Sequence, residues 1–309
     1  MTLLKKSLND YLALRRALGF KLVREGMWLP TLVRAIEQSG DAWVTTKVAL
    51  RWAKGPKTPP PLSWSKRLCM ARKFSQYLHA RDSRHEILLN EYVPVMRSKR
   101  FEPYIYKDAD VMALMNAARK ICTRFNGETY STLIGLLAAT GMRVGEAIRL
   151  DRSDFDFIQG VLQIRHTKFG KSRQIPLHPS TIKALREYAK KRDRAVLHPS
   201  CPALFPSTVG TRLTHANLHF VFLKMVRAVD LDYAKPQRPR IHDLRHTFAI
   251  KTLTSWYQAG LDTGPRIPAL STYLGHVSPS STYAYLHATP ELLQQARMRL
   301  EQSQKGTRS

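Results

Sequence analysis

The sequence predicts a mainly helical protein with one small antiparallel β-sheet, built as two successive domains. Three observations carry this. Along most of the chain, apolar side chains recur at the three- and four-residue intervals of a helix. Between Phe155 and Leu177 the pattern changes to short strand-like runs separated by Gly160 and by a Lys168-Phe169-Gly170-Lys171 turn. From Val93 to Pro103 both patterns lapse into a basic, proline-punctuated stretch. The expected division is a helical domain over 1–98, a linker over 99–105 and a second domain over 106–309.

The first domain reads as about four helices. Leu4, Leu8, Tyr11, Leu12, Leu14 and Leu18 predict the first, with Gly19 as its stop. Trp28, Leu29, Leu32, Val33 and Ile36 predict a second over 27–38. Thr45 or Thr46 caps a third through Val48, Leu50 and Trp52. The prolines between Lys54 and Ser63 predict a loop, after which Leu68, Met70, Ala71, Phe74 and Leu78 form a fourth helix starting at Ser63 or Ser65. In the second domain, helices are expected over 108–120, 128–140, 143–150 and 217–229. Another opens at Pro179, where a first-turn proline costs nothing. Three strands lie between the third and fourth of these five helices.

Charge narrows the class of partner. The 309 residues contain 50 Lys and Arg against 23 Asp and Glu, a net charge of +27. Residues 1–100 alone hold 20 basic and 7 acidic side chains, so the first third is the more densely charged. Such an excess calls for a polyanion bound with salt-sensitive affinity. The basic residues are spread over helices with ordinary apolar faces, which argues against a membrane surface. No run of about 18 apolar residues occurs. Cys69, Cys122 and Cys201 show no CxxC spacing and read as small buried thiols in a reducing compartment. The polar N-terminus does not resemble a signal peptide, so the expected location is the cytoplasm, in association with the nucleoid.

Four segments carry groups suited to phosphodiester chemistry. In Ala139-Thr140-Gly141-Met142-Arg143-Val144-Gly145-Glu146, Gly141 ends a helix and Glu146 lies close enough to hold Arg143. Lys168 sits at a hairpin tip, where it can reach a phosphate. His242 and Arg245 are three residues apart on one face of a helix whose apolar stripe is Ile241, Leu244, Phe248, Leu253 and Trp256. Leu274-Gly275-His276 is followed nine residues later by Tyr285, with Tyr273 and Tyr283 nearby. His242 and His246 have the spacing of a zinc pair, but the glutamate of HExxH is absent and no third ligand is evident. Each segment alone has a bland reading: a surface ion pair, a soluble hairpin tip, a core tyrosine.

Taken in order, the four segments resemble the tyrosine recombinase (phage-integrase type) family across roughly residues 104–290, and the helical N-terminal part is similar to that family's core-binding domain. The resemblance implies that Arg143, Lys168, His242, Arg245, His276 and Tyr285 are catalytic, with Glu146 supporting Arg143. It implies a phosphoryl transfer in which Tyr285 attacks a DNA phosphate, giving a 3′-phosphotyrosyl link and a free 5′-hydroxyl. In it Lys168 protonates the leaving oxygen, His242 accepts the phenol proton and His276 bonds the phosphate. Neither metal nor cofactor is expected. Double-stranded DNA is the implied partner, with a tetramer assembled on two sites and a stripe of Leu292, Leu293, Ala296 and Leu300 docking on a neighbouring subunit. An integrase of a mobile element is the implied setting. The rivals are a type IB topoisomerase, a DNA-binding regulator without catalysis and an RNA-processing nuclease.

Overall fold

The computed structural model describes residues 2–55, 61–89, 91, 103–165, 172–195, 202–207, 209–231, 238–276, 278–287, 294 and 297. The chain forms two compact units, Met1–Arg100 and Phe101–Ser309. Four expectations fall outside the described residues: the Lys168 turn, most of the 99–105 linker, the Cys201 thiol and the C-terminal apolar stripe.

The first unit contains α1 (Leu3–Ala17), α2 (Val23–Gln38), α3 (Thr46–Lys54) and α4 (Pro61–His79). Thr2 and Thr45 accept backbone N–H bonds from Lys5 and Val48 and so cap α1 and α3. Leu29, Leu32, Val33, Ile36, Leu68, Ala71 and Phe74 are fully enclosed, so the expected apolar faces do meet in one core. Two helices begin earlier than the spacing predicts. The α2 helix starts at Val23 and carries Pro30 inside it, where the missing N–H gives up one backbone bond. The α4 helix starts at Pro61, because a first-turn proline has no bond to lose. Leu14 and Leu18, read as core positions, are exposed. Cys69 is exposed and Cys122 half-buried, which corrects the expectation of buried thiols. Several basic groups lie over aromatic rings: Arg67 over Trp28 at 3.9 Å and Arg84 over Trp43 at 3.7 Å.

In the second unit, α5 (Asp108–Ile121) packs on α6 (Arg124–Thr140), which begins four residues before the expected Glu128. The short α7 (Val144–Arg149) leads into a sheet of β1 (Phe155–Asp156), β2 (Val161–Ile164) and β3 (Arg173–Pro176), antiparallel in that order. The register pairs Phe155 with Leu162 and Leu162 with Ile175, so their side chains share the inner face. Then follow α8 (Pro179–Ala195), α9 (His215–Ala228), α10 (Asp243–Gln258), α11 (Arg266–Leu274) and the single turn α12 (Ser280–Tyr283), continued as a 3₁₀ turn over Ala284–His287. The main core joins Leu133, Ile134, Leu162, Ile175, Phe205, Phe222 and Leu244. A second apolar cluster, with Ala249, Leu253, Ile267, Leu270 and Leu274, also contains the ring of Tyr285. Among the described residues no helix is long and apolar enough to cross a membrane.

Candidate active site

Two helix ends generate the site. Gly141 closes α6 and Gly275 closes α11, both in the left-handed conformation (φ +60° and +71°) that glycine adopts without steric cost. Helix C-termini present carbonyl groups without helical partners, and here guanidinium groups take them. Arg245, in the first turn of α10, donates Nη1 to Gly141 O at 3.0 Å and Nη2 to Leu274 O at 2.9 Å. Arg143, which precedes α7, donates Nη2 to Gly275 O at 2.7 Å. Each arginine is therefore aimed by backbone that a rotamer change cannot move.

Glu146 ties the arginines to the sheet. Its buried carboxylate accepts the Arg143 backbone N–H at 3.0 Å and Nη1 at 2.9 Å. It also accepts Arg173, from β3, in a fork of 2.8 and 3.2 Å. Arg173 Nε donates to Tyr273 O at 2.8 Å, which fixes the α11 end to the sheet. Burial by itself would raise the Glu146 carboxyl, but the hydrogen bonds from Arg173 and Arg143 outweigh it and hold the group below its ordinary value.

The tyrosine lies within this frame. Tyr285 is 7% exposed; its Oη is 3.0 Å from His246 Nδ1 and also hydrogen-bonded to Arg245. Burial raises its pKa, and the charges of Arg245 and Arg143 partly offset that rise. Tyr283, two residues earlier, is 46% exposed, so position distinguishes the two hydroxyls. The His276 ring faces Tyr285 at 6.2 Å with 26° between planes, and its Nδ1 is 2.7 Å from Oγ1 of the buried Thr282. His242 stands edge-on to His246, ring centres 4.8 Å apart.

Cations and burial shape the protonation states. Desolvation pulls Arg245 down to about 10, with Arg143 adding to the effect, so it stays charged at neutral pH. His276 is lowered to about 4 by burial and by Arg245, Arg143 and Arg173. His246 is lowered to about 4 by burial, His242, Arg240 and Arg245. His242 is lowered by burial, then by Arg245, Arg240 and Arg143. All three imidazoles are thus neutral in the absence of an anion.

Of the expected residues, Arg143, Glu146, His242, Arg245, His276 and Tyr285 come together here, while Lys168 lies outside the described residues. The imidazole within hydrogen-bond distance of the Tyr285 hydroxyl is that of His246, with His242 edge-on to it and one turn earlier in sequence. Arg173 and His246 were not assigned roles from the sequence. Arg173 shares strand parity with the buried Ile175, an inward-facing cation that signals a buried acid. His246 lies one turn from His242 on the same helical face. Among the described residues no group of three His, Cys, Asp or Glu side chains could hold a metal.

Residues 105–291 match the phage integrase family. The chain belongs to that family. It is similar to the "putative integrase/recombinase y4rB" of Sinorhizobium fredii, 39% identical over 97% of this chain and 98% of the relative. It is also similar to the tyrosine recombinase XerC of Chlamydia caviae, 25% identical over 74% of this chain and 69% of the relative. Its fold resembles that of the Tn1549 transposon integrase in complex with transposon right end DNA (TM-score 0.67, 20% identity, 96% and 98% of the two chains). A lambda integrase dimer bound to a core site is a further fold neighbour (TM-score 0.62, 19% identity, 94% and 97%). This member of the phage integrase family is a site-specific DNA recombinase of the tyrosine type, an enzyme that breaks and rejoins DNA strands.

Proposed function

We propose that the recombinase works on double-stranded DNA through Tyr285, within one subunit's own pocket. The observation that carries this is the phenol oxygen held beside Arg245 and His246, next to the Arg143 guanidinium that Glu146 fixes. The scissile phosphate binds between Arg143 and Arg245, whose charges offset the negative charge that grows on the non-bridging oxygens as phosphorus becomes pentacoordinate. Tyr285 Oη bonds to phosphorus while the P–O5′ bond breaks, leaving a 3′-phosphotyrosyl link and a free 5′-hydroxyl. Lys168 donates the proton that the leaving oxygen needs. With Nδ1 accepting from Thr282, His276 presents Nε2–H to a phosphate oxygen, and His242 packs against His246. Religation is the same sequence in reverse, with the 5′-hydroxyl of a partner strand as nucleophile.

The unit of residues 1–98, with its dense positive charge, grips the DNA backbone, and the 99–105 segment links it to the catalytic unit of 106–309. Four copies assemble on two DNA sites, as the family resemblance implies, and the cytoplasm is the setting. The relatives' names and the likeness to a transposon integrase support a mobile element as the source of the DNA sites.

The test is trapping of covalent protein–DNA adducts on a nicked target. Tyr285→Phe is expected to bind DNA with unchanged affinity and form no adduct, whereas Tyr283→Phe traps normally. Adducts that persist in Tyr285→Phe and vanish in Tyr283→Phe would move the nucleophile.

A further inference from the structure

We infer that His246 is the general base of strand cleavage, taking the phenol proton from Tyr285 on Nδ1 as Oη bonds to phosphorus and returning it on religation. This deepens the proposal above and rests on Tyr285 being the nucleophile.

The hydrogen-bond inventory around the phenol leads there. A guanidinium can only donate, so the Tyr285 oxygen accepts from Arg245. The single phenol proton is then left for the other partner, His246 Nδ1, at 3.0 Å. That requires the tautomer with hydrogen on Nε2, which leaves a lone pair on Nδ1. His276 is engaged through its own Nδ1 with Thr282. His242 stands edge-on to the His246 ring, centres 4.8 Å apart. Of the three imidazoles, His246 is the one with a nitrogen in line with the proton to be moved.

The electrical surroundings favour the same assignment. The groups around His246 are Arg240, Arg245, His242, His276 and Tyr285, and without DNA they keep its ring unprotonated and able to accept. A phosphodiester bound between Arg143 and Arg245 brings negative charge into this cationic pocket and raises the basicity of the imidazole as attack begins. The proton then passes from Oη to Nδ1, the O–P bond forms, P–O5′ breaks and Lys168 supplies the proton to O5′. Atoms and charge balance without a metal or redox partner.

Single-turnover adduct formation on a nicked DNA target tests the assignment. In His246→Asn the amide oxygen can stand near the Nδ1 position and accept the phenol hydrogen bond, but it cannot take the proton. The variant is expected to bind DNA normally and to trap at least roughly 100-fold more slowly than wild type, the usual scale of a lost general base. Two further arms separate base from acid and from mere positioning. A substrate with sulfur at the leaving 5′ position should rescue Lys168→Ala and leave His246→Asn slow. A fluorinated, more acidic tyrosine at position 285 should speed His246→Asn. A His246→Asn rate within about threefold of wild type, or rescue by the sulfur substrate, overturns the base role while the Tyr285 adduct stands. Absence of any adduct in the wild type overturns the nucleophile instead. If His246→Asn fails to bind DNA, His246→Gln takes its place under the same criteria.

Discussion

Arg173 shows how much a residue distant from the phosphate can matter. It supplies two of the hydrogen bonds that make a buried carboxylate tolerable, and Glu146 in turn sets the Arg143 rotamer. Arg173→Ala leaves Glu146 half-compensated in a dry site, and breaking such a pair costs about 3 kcal/mol. Urea denaturation should register that loss, and adduct formation should slow while DNA affinity holds. Arg173→Lys should recover only part of both, since an ammonium cannot bridge two carboxylate oxygens and Tyr273 O together. A ΔΔG within the ±0.5 kcal/mol of an ordinary surface change would contradict this account.

At the scale of elements, the ends of α6 and α11 act as the mould for both arginines. Gly275 cannot gain a side chain cheaply. Its φ is +71°, and a Cβ there would lie 2.6 Å from Arg173 Nη1. Gly275→Ala is expected to destabilise by about 1–2 kcal/mol through backbone strain. Because Leu274 O and Gly275 O aim Arg245 and Arg143, adduct formation should fall further than stability predicts, roughly 10- to 100-fold at temperatures where the variant remains folded. Comparing melting temperature with cleavage rate separates the two effects; a rate loss matched by unfolding would refute the mould. Gly141 is set in the same way against the Phe248 ring, 2.5 Å from its would-be Cβ.

For the whole molecule, the three depressed histidines of the site link stability to pH, and His85 in the first unit, also lowered by burial, acts in the same direction. Unfolded, each imidazole titrates near its ordinary value; folded, His246 and His276 titrate at about 4. Between about 6.5 and 4 the unfolded chain therefore binds more protons, so folding stability is full above that window and is lost as pH falls through it. Glu146, also depressed, acts in the same direction below the ordinary carboxylate range, while Asp243, raised by burial, acts against it. Discounting for solvent screening, the loss is on the order of 2–4 kcal/mol, or roughly 5–10 °C in Tm. Thermal melts at pH 7.5 and 5 should show it, and bound DNA should reduce it by giving the protonated rings an anionic partner. A Tm that does not change between these pH values would mean the imidazoles are not desolvated as described.

The sequence by itself determined the helical periodicity, the three-stranded insert and the positive charge, because these follow from local spacing and composition, and its ordered motifs carried the family resemblance. Arg143 and Glu146 are three residues apart, and His242 and Arg245 share one turn, so their proximity needs no tertiary information. The tertiary structure alone decided which hydroxyl is enclosed, which imidazole meets it and what holds the guanidiniums. Those outcomes depend on contacts between residues about 30 to 130 positions apart, such as Tyr285 with His246 and Arg143 with Gly275. Pro30 inside α2 has the same origin: packing of that helix's apolar face outweighs the local cost of the proline. Chain spacing specifies neighbours along a helix or strand, whereas a pocket is specified by what the packed core brings to its rim.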